Sequence, residues 1–154
     1  MHQNTRPSYQ DSLRAIGRYF DRNVYRSVLV SEVDDGFIAR AFPGQQAHLK
    51  AEGIALPMSD VLALISTQEQ ARGATVNDVK MPPLCPTGYE DFFRSLGFDL
   101  DGAGASNACV VELNAGFLIS YNVKIGRALE RSQMFYDAQQ VDDLLTRGYQ
   151  RRRR

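Results

Sequence analysis

The chain has no tryptophan, only two cysteines and two histidines among 154 residues, and no long apolar run. Each shortage removes a class of function. Cys85 and Cys109 have no metal-ligand spacing and are too few for a disulfide framework. Cys109 falls inside an apolar strand pattern and reads as a small buried hydrophobe, and Cys85, in a proline-rich connection, reads as a spare loop thiol. His2 and His48 cannot form a histidine pair with metal spacing, so no metal and no cofactor is expected. No apolar stretch approaches the roughly 18 residues that a bilayer requires. The opening residues lack the apolar core of a signal peptide, and a cytoplasmic location is the expectation.

Signatures of catalysis are equally sparse. There is no Gly-x-Ser-x-Gly elbow, no phosphate-cradling Gly-x-x-x-x-Gly-Lys and no dinucleotide fingerprint. Asp78, Val79 and Lys80 match the Asp-x-Lys tail of some nuclease sites, but they stand beside prolines rather than on a strand pattern. Net charge is zero, which argues against a generally basic, polyanion-binding chain. The distribution is uneven, however. Residues 123–154 carry eight basic and four acidic side chains, a net +4, leaving −4 on the preceding 122.

What the sequence does have is an echo of itself. Residues 8–42 align with residues 88–122 without a gap, at an offset of eighty. Tyr9, Asp11, Arg14, Gly17, Asp21, Val30, Glu32, Gly36 and Phe37 fall on Tyr89, Asp91, Arg94, Gly97, Asp101, Val110, Glu112, Gly116 and Phe117. Apolar pairs such as Ile16/Leu96, Phe20/Leu100 and Ile38/Leu118 exchange like for like. Two copies of one supersecondary unit is the direct reading. Each copy alone is near the size at which a separate core is marginal, so the halves should share one.

Each unit reads α-β-β-(β)-α. After a frayed segment at 1–7, Ser8 is an N-cap, and Tyr9, Leu13, Ile16 and Phe20 form the buried ladder of a helix. Tyr89, Phe93, Leu96 and Leu100 repeat that ladder in a helix expected to end sooner, at Gly102 and Gly104. Two strands follow, 28–33 and 36–42, around the Asp34-Asp35-Gly36 turn; their counterparts are 108–113 and 117–123, around Asn114-Ala115-Gly116. The first strand of each pair is apolar on both faces and belongs in the centre of a sheet. A short third strand is expected around residues 48–54, while the corresponding segment 124–136 reads only as basic and aromatic. Helices from Ser59 or Asp60 to about Arg72, and from Asp137 to about Tyr149, close the units. The expected fold is therefore α+β, with pseudo-twofold symmetry and an antiparallel sheet packed by helices. Its divisions are repeat unit 1 at 8–72, a proline-rich connection at 73–87, repeat unit 2 at 88–149 and an arginine tail at 150–154.

Two residue sets bear on function. Arg14, Gly17 and Asp21, like Arg94, Gly97 and Asp101, lie on one stripe beside the apolar helix face. The glycine there permits a close backbone approach, and Glu32 and Glu112, on otherwise apolar strands, need partners for which Arg14 and Arg94 are the expected choice. This set reads as structural, because a single active site would need it in only one copy; a small-molecule or hydrolytic site using Glu32 and Glu112 is the lesser alternative. What differs between copies is the better pointer. Lys124, Arg127, Arg131, Phe135 and Tyr136 combine phosphate-binding and base-stacking side chains and could hold nucleic acid. The leading expectation is a non-enzymatic binding or regulatory module acting through protein contacts, a homodimer being one assembly open to it.

Overall fold

The computed structural model describes residues 6–43, 50–70, 82 and 84–152. The fold is α+β. Among the described residues four helices pack on an open antiparallel sheet of six strands. The order along the chain is α1 (Tyr9–Arg22), β1 (Tyr25–Val33), β2 (Gly36–Pro43), β3 (Glu52–Pro57), α2 (Met58–Gln70), α3 (Tyr89–Gly102), β4 (Ser106–Leu113), β5 (Gly116–Ile125), β6 (Ala128–Asp137) and α4 (Ala138–Arg152). In space the strands run β3-β2-β1-β4-β5-β6, so the two strands that are apolar on both faces do lie at the centre.

Local chemistry accounts for the element boundaries. The Ser8 hydroxyl accepts from Asp11 N at 3.1 Å and starts α1, satisfying one of the amides that the first helical turn leaves open. Two-residue turns, Asp34-Asp35 and Asn114-Ala115, join β1 to β2 and β4 to β5, as the paired Val33/Gly36 and Leu113/Gly116 registers show. Gly126, at φ 63°, begins a third such turn between β5 and β6.

Several boundaries differ from the sequence expectation. Helix α3 runs through Gly102 and equals α1 in length, its last turn closed by the Ala103 amide donating to Asp99 O and Asp101 O. Segment 124–136, read from sequence only as basic and aromatic, is taken up mostly by β6, a full edge strand paired with β5 from Ala128 to Asp137. The third strand of the first unit is displaced to 52–57, and His48 lies outside the described residues, as do His2, residues 78–80, most of the 73–87 connection, Arg153 and Arg154. Arg151 belongs to α4, where its guanidinium sits 3.8 Å from the Phe98 ring centroid, so the arginine run begins as helix and not as tail.

A single core lies between the helices and one face of the sheet. Leu13, Ile16 and Phe20 of α1 meet Phe92, Phe93, Leu96 and Leu100 of α3 above Val28, Val30, Val110, Phe117 and Ile119 of the sheet. Val61 and Leu144 extend the core beneath α2 and α4. Cys85 is fully buried in it, which corrects the loop-thiol expectation; burial pushes its thiol well above the ordinary value. Cys109, expected to be buried, is instead half-exposed on the other face of the sheet.

Candidate functional site

The central β1–β4 ladder is short, Leu29 opposite Val111, Val30 opposite Val110 and Ser31 opposite Cys109. Both strands are interrupted at their outer halves by a register shift, with Ser27 at φ 52° and Asn107 at φ 51°. The shift directs the Val28 and Ala108 amides across to the neighbouring strand. There Glu112 Oε1 accepts from Val28 N at 3.1 Å, and Glu32 Oε1 accepts from Ala108 N at 3.1 Å. A carboxylate thus completes the ladder at each end. The same oxygens accept from the helices: the Tyr89 hydroxyl donates to Glu112 at 2.5 Å and the Tyr9 hydroxyl to Glu32.

The helices hold each other by a second reciprocal set. Asp21, at the end of α1, accepts from Tyr89 N at 2.8 Å and Glu90 N at 3.1 Å, capping α3. Asp101, at the end of α3, accepts from Tyr9 N at 2.8 Å and Gln10 N at 3.1 Å. The close approach this demands is met at the glycines. A methyl group on Gly17 would lie 2.8 Å from Tyr89 O, and one on Gly97 would lie 2.5 Å from Tyr9 O. Gly17, Gly97, Asp21 and Asp101 thus all lie at the contact between α1 and α3.

The expected arginine partners of the glutamates are corrected. Glu32 is held by Tyr9, by Ala108 N and by a salt bridge from Arg6, not by Arg14, which is half-buried on α1. Arg94 pairs along its own helix with Glu90 at 3.7 Å and Asp91 at 3.9 Å, not with Glu112. The tyrosines win because they start the helices directly over the strands, with the hydroxyl at the length the carboxylate needs. Desolvation, together with the adjoining carboxylates, drives the Tyr9 and Tyr89 hydroxyls well above their ordinary value, so both remain donors. Asp21 is also raised, to about 6, chiefly by burial and against the pull of the two amides it caps.

The basic-aromatic set does not converge. Tyr136 turns into the core, 8% exposed, where burial pushes its hydroxyl up to about 12. Arg131 lies across the sheet, donating to Asn107 O at 2.7 Å, Asn122 Oδ1 at 3.1 Å and Ser120 Oγ at 3.0 Å. Lys124 is opposite Leu129 near the β5–β6 turn that contains Arg127, while Phe135 is six residues along β6, roughly 20 Å away.

Among the described residues no helix packs on the sheet face turned away from the core. Leu29, Val111, Leu118 and Phe135 are successive cross-strand neighbours on it, one from each of β1, β4, β5 and β6. Ile38, 47% exposed, Cys109 and Leu113 extend this apolar ridge. On the core side, between the start of α1 and the ends of β1 and β2, lies a cavity of about 420 Å³ lined in part by Ser12, Glu32 and Phe37.

Comparison with family models, with curated proteins and with solved structures gives no match. Neither the ridge nor the cavity was anticipated. The ridge had a sequence signal in the two-sided apolarity of β1 and β4, which marks them as central but does not say on which face the helices pack. The cavity's signal was Ser12 opposite Phe92 in the alignment, a large-to-small difference at a helix position that faces the core. Among the described residues no group of His, Cys, Asp and Glu side chains could hold a metal ion, and no helix is long and apolar enough to cross a membrane.

Proposed function

We propose that the chain is a non-enzymatic binding module, built by tandem duplication of one α-β-β-β-α unit, that engages a protein partner through the sheet face on which no described helix packs. The observation that carries this reading is the ridge from Leu29 through Val111 and Leu118, all half-buried, to the exposed Phe135, on a face opposite to the one on which the described helices pack. Contiguous exposed apolar surface of this kind marks interaction sites, since exposure to water is otherwise unfavourable. The long edge strand β6 borders the ridge and offers unpaired backbone groups to an added strand.

Duplication is supported by the pairing of Val30 with Val110, eighty positions apart, on what would be the pseudo-twofold axis. The carboxylate, tyrosine and glycine contacts recur on both sides of that axis at the same offset. This favours a structural role for Arg94, Asp21, Glu32, Asp101 and Glu112 within the scaffold. The nucleic-acid reading has less support, because Arg131 is engaged within the sheet and Tyr136 is buried.

The test is site-specific photocrosslinking in the native host, with p-benzoylphenylalanine at Leu118 on the ridge and at Asp142 on α4. A discrete adduct from position 118 and none from 142, abolished by Val111→Asp, is the expected result. A chain that crosslinks to nothing at 118 and sediments as a monomer would overturn the proposal.

A further inference from the structure

The cavity beside α1 lies where the two halves differ at a core-facing helix position. In the second half, Phe92 fills the corresponding space, its ring centroid 4.4 Å from that of Phe117, and the fully buried Cys85 packs in the same core. In the first half Phe37 occupies the place of Phe117, but Ser12 stands where Phe92 does, and the space stays open at about 420 Å³. A volume of this size is at the small end of ligand sites.

Ser12 is only 2% exposed and belongs to the lining of the cavity. Phe37 and Met58 give the cavity an apolar wall. Its charged lining is Glu32, Asp101 and Arg6, two carboxylates against one guanidinium, a net charge of −1. The Glu32 and Asp101 oxygens only accept, and each is already oriented by backbone amides.

We infer that this cavity binds a compact organic cation, a protonated amine carried on an apolar body, with the amine toward the carboxylates and Ser12 and the body against Phe37 and Met58. The site lies on the core side of the sheet and stands or falls separately from the ridge on the other face.

The probes are 2-phenylethylamine, 3-phenylpropionate and 2-phenylethanol, which share a ring and differ in charge. Each is titrated into the ¹⁵N-labelled full chain and followed by amide shifts. The amine is expected to move the Ser12 and Asn107 amides saturably and to bind about tenfold more tightly than the carboxylate. Ser12→Phe, which imitates Phe92, is expected to abolish those shifts while the chain stays folded; Ser12→Leu serves as the filler if the phenylalanine does not fit. Ser12→Ala, which removes the hydroxyl and leaves the space, should weaken binding without abolishing it. Shifts that persist in a folded cavity-filled variant, equal affinity for all three probes, or no shifts from the amine would overturn the inference.

Discussion

Val30 and Val110 face one another across the centre of the sheet, and each is the other's counterpart in the two halves of the sequence. On either side of this pair the ladder ends in a glutamate from one strand accepting the amide of the residue opposite. The centre of the sheet is thus an apolar pair flanked on each side by a carboxylate–amide bond. At Glu112 a single carboxylate oxygen accepts from both the Tyr89 hydroxyl and the Val28 amide.

Removing that acceptor should be expensive. Glu112→Ala strands the Tyr89 hydroxyl and the Val28 amide, at about 1–3 kcal/mol for each donor left unsatisfied. Glu112→Gln keeps an acceptor oxygen in place and should cost much less. Urea unfolding of both variants checks the difference; equal losses would mean that the charge, not the acceptor, carries the stabilisation.

The helix crossing is limited by Gly17 and Gly97. Gly97→Ala places a methyl 2.5 Å from Tyr9 O, a contact with backbone that cannot rotate away. Helices α1 and α3 must separate, and destabilisation of about 1–3 kcal/mol is expected from overpacking. Gly102→Ala is the control, because nothing lies within 4 Å of a methyl there. It should be neutral or stabilising by up to about 1 kcal/mol through helix propensity. Thermal melts of the pair separate steric from conformational effects.

Asp21 makes stability depend on pH in a definite direction. Its carboxyl is raised from 3.8 to about 6 in the folded chain, with Glu90 and Arg26 acting on it besides burial. Between those values the folded state holds more protons than the unfolded state, so this group's contribution to stability increases as pH falls from 7 and levels off near 4. Asp21→Asn removes the titrating group. The difference in unfolding free energy between wild type and variant, measured from pH 4 to 7, should slope accordingly; a flat difference would show that the two capping bonds offset burial.

Ser95 offers a stabilising substitution. Its hydroxyl is buried without a hydrogen-bond partner among the described residues, and the first half has Ala15 at the same position. Ser95→Ala should raise the melting temperature, by an amount corresponding to about 1 kcal/mol, because it removes an unsatisfied buried group and adds no void of consequence. A lowered melting temperature would indicate a bond to a segment outside the described residues.

The α+β class, the element order, the two hairpins, the central placement of β1 and β4 and the glycine stripe were all set by local pattern. Periodicity and turn chemistry act over a few residues and can be read one segment at a time. The internal sequence match also singled out Glu32, Glu112, Asp21 and Asp101. It did not show what they touch. Tyr9 and Tyr89 counted as rungs of an apolar ladder, although their hydroxyls are what hold Glu32 and Glu112, because a tyrosine's two ends act in different environments. Capping of each helix by the other's aspartate joins residues 68 to 92 positions apart and has no local signature. Whether a sheet face is covered, and whether a serine opens a cavity or is simply overlaid, depends on where the helices dock. Docking is decided by the sum of packing contacts from both halves, so only the tertiary structure could set the ridge at Leu118 and the cavity at Ser12.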